Sequence, residues 1–103
     1  MYTQVNAENY KAAISSAGHG MLLCSKKLCP HCKNMEKVME KFSAQRPQVA
    51  LFKLDSEEDP QVMADLGAER VPTMLILRDG KVVAAKTGLM NPRELIALFD
   101  NSV

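Results

Sequence analysis

Nowhere in this chain is there an apolar run long enough to cross a membrane. Runs such as Met21–Cys24 and Met74–Leu77 have the length of buried strands, whereas a spanning helix needs about 20 apolar residues. A strong charge of either sign is missing too. Thirteen Lys and Arg against twelve Asp and Glu leave a formal net charge of +1, which gives no electrostatic case for nucleic acid. Residues 1–13 are polar and hold no apolar core of the kind a secretion signal carries, so a cytoplasmic location is expected. Repeats, low-complexity tracts and linkers are also lacking. What remains is ordinary globular composition, 47% apolar and 24% charged over 103 residues. A single monomeric domain spanning residues 1–103 is expected. At this length a domain buries roughly 60–70% of its unfolded surface and folds without staples.

Cysteine is scarce, but its placement is informative. Cys29-Pro30-His31-Cys32 is a dithiol that can close into a small ring, with a proline stiffening the gap. In a reducing compartment such a pair reads as redox catalysis or metal binding before structural stapling. Met35, Val38, Met39 and Phe42 follow at helical spacing, so the pair opens an amphipathic helix. Pro30 suits its first position, where a missing N–H costs nothing. Cys29 then sits at the positive end of the helix dipole, where a thiolate is favoured over a thiol. Cys24 lies in the apolar run that precedes the pair and reads as a core cysteine behaving as a small hydrophobe.

The other elements follow from pattern and punctuation. Val5 belongs to a short edge strand. Asn6 caps a first helix with Tyr10, Ala13, Ile14 and Ala17 on its apolar face and Gly18 as its stop. Met21–Ser25 is a strand. The Cys29 helix runs to about Arg46, where Pro47 ends it. Val49–Leu54 is a second core strand. Asp59-Pro60 opens a short helix that Gly67 closes. Thr73–Arg78 and Lys81–Lys86 flank Asp79-Gly80, a strong hairpin signal. Asn91-Pro92 with Glu94 starts a last helix that buries Leu95, Ile96, Leu98 and Phe99. The order β-α-β-α-β-α-β-β-α predicts an α/β fold, a central mixed sheet of four to five strands flanked by about four helices. Sites in such sheets form at the carboxyl ends of strands, and the dithiol directly follows one.

Taken together, these residues resemble a thioredoxin over nearly the whole chain. The resemblance rests on the C-x-x-C at a strand-to-helix junction, on Val71-Pro72-Thr73 before the hairpin strand, on Asp79-Gly80 in the turn and on Gly88 after it. It implies the thioredoxin fold and a Val71-Pro72 cis peptide facing the dithiol. It also implies that the Val71 backbone pairs with an extended substrate segment. The alternative for Pro72 is an ordinary trans proline at the start of a strand. The chain departs from the family in several places. Pro30-His31 stands where thioredoxins carry Gly-Pro, and resembles the oxidising periplasmic DsbA type, whose helical insertion does not fit into 103 residues. Leu28 replaces the tryptophan before the first cysteine, and the chain has no tryptophan at all. Leu23 falls where the family has a buried aspartate that serves the second cysteine, although its lysine neighbour survives as Lys53. Lys37 replaces the proline that kinks the active-site helix.

The expected chemistry is thiol–disulfide exchange, with Cys29 as the outward nucleophile and Cys32 as the resolving thiol one turn deeper. Lys26, Lys27, Lys33 and, in its protonated form, His31 favour the Cys29 thiolate. A histidine on an exposed helical turn is otherwise simply solvated. As a tuning group, His31 makes the disulfide more oxidising, with a potential of about −200 mV, between about −270 mV for thioredoxin and about −120 mV for DsbA. Lys53, lacking the aspartate, is expected to bury its stem and send its amine to solvent. Leu28, Pro30, Val71, Pro72, Thr73, Gly88, Leu89 and Met90 are the expected substrate surface, an apolar, backbone-accessible groove around Cys29. The couple Cys29–Cys32 needs no cofactor. Its expected partners are disulfide-containing proteins and, from the resemblance, a flavin-dependent thioredoxin reductase. Alternatives are a glutathione-coupled glutaredoxin-like reductase, a DsbA- or isomerase-like oxidase, and a non-catalytic adaptor. A metal or iron–sulfur site using Cys24, Cys29, His31 and Cys32 is more remote, since a second C-x-x-C is missing.

Overall fold

A computed structural model describes residues 2–102. Its elements are β1 (Thr3–Val5), α1 (Tyr10–Ser16), β2 (His19–Ser25), α2 (Pro30–Gln45), β3 (Ala50–Asp55), α3 (Pro60–Asp65), β4 (Thr73–Arg78), β5 (Lys81–Thr87) and α4 (Pro92–Asp100). They form one five-stranded sheet in the order β1-β3-β2-β4-β5. β3 runs parallel to both β1 and β2, whereas β4 is antiparallel to β2 and to β5. This is the mixed sheet and helix count that the element order predicts.

The alternation of side chains along β2 explains the layers. Leu22 and Cys24 pack with Tyr10 and Ile14 of α1 and Val62 and Met63 of α3. Met21 and Leu23, pointing the other way, pack with Met35, Met39 and Phe42 of α2 and Leu95 and Phe99 of α4. The sheet therefore has a core on each face, and the second of them holds α2 against it. All six described methionines are buried.

Local chemistry sets the boundaries. Asp79 and Gly80 both take positive φ (51° and 81°), as a two-residue hairpin turn matched to strand twist requires. The Asn91 side chain accepts from the Glu94 N–H at 2.7 Å and Glu94 accepts from the Asn91 N–H at 3.1 Å, a complete capping box. The first helix departs from expectation. Asn6 does not cap it directly. Asn6 Oδ1 accepts from the N–H groups of Glu8 and Asn9, building a separate turn, so α1 begins only at Tyr10. It ends at Ser16 because Ala17 is extended (ψ 116°) and the chain runs straight into β2, where the Gly18 carbonyl accepts from Asp79 N–H.

Candidate active site

The site lies where β2 stops and α2 starts. Leu28 adopts φ 54°, a left-handed conformation unusual for a branched side chain. This turns the chain so that Cys29 becomes the N-cap of α2. Its Sγ accepts from Cys32 N–H at 3.2 Å, and its carbonyl accepts from Lys33 N–H at 3.1 Å. The Cys32 N–H and the positive end of the helix dipole thus both act on this sulfur. Cys29 and Cys32 are joined as a disulfide with a Cα–Cα distance of 5.2 Å. Cys29 is 8% exposed and Cys32 1%, so the first sulfur is the more accessible. His31 is exposed on the same turn.

Two further loops share this end of the sheet. Cys24 pairs with Thr73 and Thr73 with Thr87, so the segments before Thr73 and after Thr87 lie beside the loop leaving β2. The Val71-Pro72 peptide is cis. Gly88, at φ 99°, donates its N–H to the Pro72 carbonyl at 2.9 Å. Thr73 Oγ1 donates to the Arg70 carbonyl at 2.6 Å and meets Thr87 Oγ1 at 3.1 Å. Val71 and Lys26 line one groove of about 370 Å³ with Met63, Ala64 and Ala68. Leu28 (95% exposed) and Leu89 (50% exposed) are exposed apolar side chains on the loops leaving β2 and β5. Pro72 and Thr73 have buried side chains. Met90 corrects the expectation of an exposed groove: it is 4% exposed, packed in the core beneath α2, and its N–H points at Met35 Sδ at 3.4 Å. Its neighbour Leu89 provides the apolar surface there.

Lys53 also departs from expectation. Its amine does not stand alone in solvent. It donates to Glu36 Oε1 at 2.9 Å, and Tyr2 Oη donates to the same oxygen at 2.6 Å. The ammonium lies 5.4 Å from the centre of the Tyr2 ring. Glu36, on α2, therefore supplies Lys53 with an acidic partner from the helix. Burial pushes the Glu36 carboxyl up, but hydrogen bonds from Tyr2 and Lys53 and the charges of Lys53 and Lys33 outweigh it and hold the group below its ordinary range. Burial likewise opposes the Lys53 cation, and Glu36 outweighs it, so Lys53 is raised. Tyr2 is raised chiefly by its hydrogen bond to the Glu36 anion.

A pH signature follows from these directions. A depressed carboxylate stabilises the fold above its unfolded pKa, and that contribution is lost as pH falls through its folded value. A raised lysine stabilises below its unfolded pKa, and its contribution is lost as pH rises through its folded value. The pair therefore stabilises across the neutral range and fails at both extremes. Lys53→Met should cost about 1–2 kcal/mol at neutral pH, between exposed and fully buried pairs. In urea melts the gap between the variant and the parent should narrow below the carboxylate range. A gap independent of pH would mean that Lys53 acts through packing alone.

Cys24 stands apart from this chemistry. It is fully buried on the sheet face opposite α2, and burial pushes its thiol up to about 12. Among the described residues, no three His, Cys, Asp or Glu side chains are grouped to hold a metal ion. Nor is any described helix long and apolar enough to cross a membrane.

A mixed sheet with a close cysteine pair at a helix N-terminus defines a dithiol–disulfide oxidoreductase of the thioredoxin fold. The Thioredoxin family model matches residues 1–101. The chain is 30% identical over 97 residues to a thioredoxin of Chlamydia muridarum, covering 92% of each. It is 46% identical to desulfothioredoxin from Desulfovibrio vulgaris Hildenborough, whose reduced form superposes with a TM-score of 0.84 over 96% of both chains. Mitochondrial thioredoxin 3 from Saccharomyces cerevisiae, 22% identical, shares the fold at a TM-score of 0.87, over 97% of this chain and 94% of the other. The chain belongs to the thioredoxin family, and it is a thiol-disulfide oxidoreductase.

Proposed function

We propose that this protein is a monomeric, single-domain cytoplasmic electron donor that reduces protein disulfides through Cys29 and Cys32. The observation that carries this reading is the Cys29 sulfur held at the N-terminus of α2 by Cys32 N–H. In the reduced protein, the Cys29 thiolate attacks one sulfur of a substrate disulfide. The substrate S–S bond breaks, a mixed disulfide forms on Cys29, and the leaving thiolate takes up a proton. Cys32 then loses its proton and attacks Cys29 Sγ. The Cys29–Cys32 disulfide forms and the second substrate thiol leaves, so two electrons have passed to the substrate. Leu28, Pro30, Val71, Pro72, Thr73, Gly88 and Leu89 form the substrate surface, with the Val71 backbone pairing with an extended segment. No cofactor beyond the dithiol is required. A flavin-dependent thioredoxin reductase returns the electrons. The N-terminal β1 and α1 favour this reading over a glutaredoxin-like one.

His31, exposed one residue before Cys32, stabilises the thiolate of the reduced form in its protonated state and makes the disulfide more oxidising. The potential should lie at about −200 mV, and His31→Pro should move it toward about −270 mV. Equilibration in glutathione buffers, acid quench and mass counting of free thiols gives both values. A parent protein already near −270 mV, or a variant that does not move, removes His31 from the tuning role. Turnover of a disulfide-bonded protein with NADPH and a thioredoxin reductase, against glutathione with glutathione reductase, decides between the thioredoxin and glutaredoxin readings.

A further inference from the structure

We infer that the surface beside the dithiol selects substrates by charge, favouring disulfides whose cysteines are flanked by acidic residues. This rests on the reading above and adds the class of substrate to it.

The chain as a whole is nearly neutral, but its charges are not evenly placed around the site. Lys26 and Lys27 precede Leu28, and Lys33 lies in the first turn of α2. All three border one open groove of about 420 Å³ on the Leu28 side of the disulfide. That groove also contains three carboxylates, against four lysines once Lys53 is counted. Glu36 holds Lys53 and Tyr2. Asp55 Oδ1 accepts from the N–H groups of Glu57 and Glu58. Glu58 lies 3.7 Å from Lys27, a loose and exposed pair. Among the described residues, Lys26 and Lys33 make no ion pair. Lys26 and Lys33 thus flank Leu28 without a contact ion pair, although the charge of Lys33 also acts on Glu36, and the positive end of the α2 dipole adds to them.

Lys26 also lines the second groove, the one that holds Val71. A substrate strand paired along Val71 therefore lies in the groove that this ammonium lines. Glu69, which lines the same groove, forms no ion pair with Lys26 among the described residues. Charge of this kind acts mainly on encounter and orientation, so it favours the rate with an acidic partner and is screened by salt. The exposed side chains of Leu28 and Leu89 contribute contact area to any substrate, and the lysines decide among them.

The test uses three short synthetic peptides of equal length, each closed by one intramolecular disulfide. They differ only in the residues flanking the cysteines: Asp in one, Lys in another, Ser in the third. The protein is pre-reduced, desalted and mixed with each peptide, and thiols are counted by mass after acid quench. At low ionic strength the Asp peptide should be reduced at least about tenfold faster than the Lys peptide. The ratio should collapse toward unity in high salt. A Lys26→Gln, Lys33→Gln double variant should lose most of the discrimination, while Lys26→Arg, Lys33→Arg should keep it. Reading a ratio between peptides removes any common effect of these lysines on Cys29. Equal rates for the three peptides, or a faster Lys peptide, would overturn the charge selection and leave the reductase reading intact. Failure to reduce any of the three would overturn both.

Discussion

Cys29→Ser should abolish reduction of protein disulfides, and Cys32→Ser should halt it after the first step with substrate still attached. The two outcomes follow from depth and placement. Cys29 is the N-cap residue whose sulfur receives the Cys32 N–H, and it is the less buried of the pair. A hydroxyl at that position stays protonated at neutral pH and cannot attack a disulfide, so no intermediate forms. With Cys29 intact and Cys32 replaced, attack proceeds but no second thiol is available to release the substrate. Denaturing, non-reducing mass analysis should then show a covalent adduct of the variant with one substrate molecule, dissolved by dithiothreitol. An adduct on Cys29→Ser instead would reverse the two roles. Full activity of Cys29→Ser in the cell would favour a non-catalytic adaptor. Cys24 does not rescue either variant, since it lies on the far face of the sheet with its thiol pushed up to about 12.

The parts of this fold that were legible in the sequence are those governed by neighbours in the chain. Asp79-Gly80 specifies a turn because both residues tolerate positive φ. Asn91 and Glu94 specify a helix start because they satisfy each other's N–H groups. Alternation along β2 and helical spacing along α2 specify which side chains meet. Asn6 does not fix where α1 begins, because an asparagine that caps a helix and one that closes a preceding turn carry the same local signal. The left-handed Leu28 has no sequence signal at all, since such conformations usually announce themselves with glycine or asparagine.

Within the site, the same division holds. The dithiol and the Val71-Pro72-Thr73 segment were visible as motifs. The partner of Lys53 was not, because the Glu36–Lys53 contact joins a helix to a strand and depends on the depth at which α2 sits. One signal was present: Glu36 is one turn beyond Cys32 and shares its face of the helix, so a carboxylate there points toward the sheet rather than outward. The nearness of Met90 to Gly88 points to the surface. The apolar side chain of Met90 instead fills the space beneath α2 that Met35 also occupies, and Met is well shaped for such gaps.

Phe42→Ala should cost the fold about 3–5 kcal/mol, the largest stability loss expected of any single truncation here. Phe42 is fully buried in the core under α2 and α4, and its ring meets Phe99 edge to face with centroids 5.3 Å apart at 68°. Removing the ring forfeits transfer energy, leaves a cavity and breaks an aromatic pair that adds about 0.5–1.5 kcal/mol to area burial. A domain of this size has only about 5–15 kcal/mol in total, so the melting temperature should fall by roughly 15–25 °C. Urea melts followed by circular dichroism measure this, tryptophan emission being unusable in a chain without tryptophan. Val83→Ala on the exposed strand β5, where Val83 is 45% exposed, should change stability by less than about 0.5 kcal/mol and serves as the control. The two ends of α2 make the contrast informative. Phe42 lies about 20 Å along the helix from Cys29 at 1.5 Å per residue, so the folded fraction of Phe42→Ala should keep the reduction potential of the parent. A loss below about 1 kcal/mol would show that the core closes over the missing ring, and a shifted potential would show that packing at the far end of α2 reaches the dithiol.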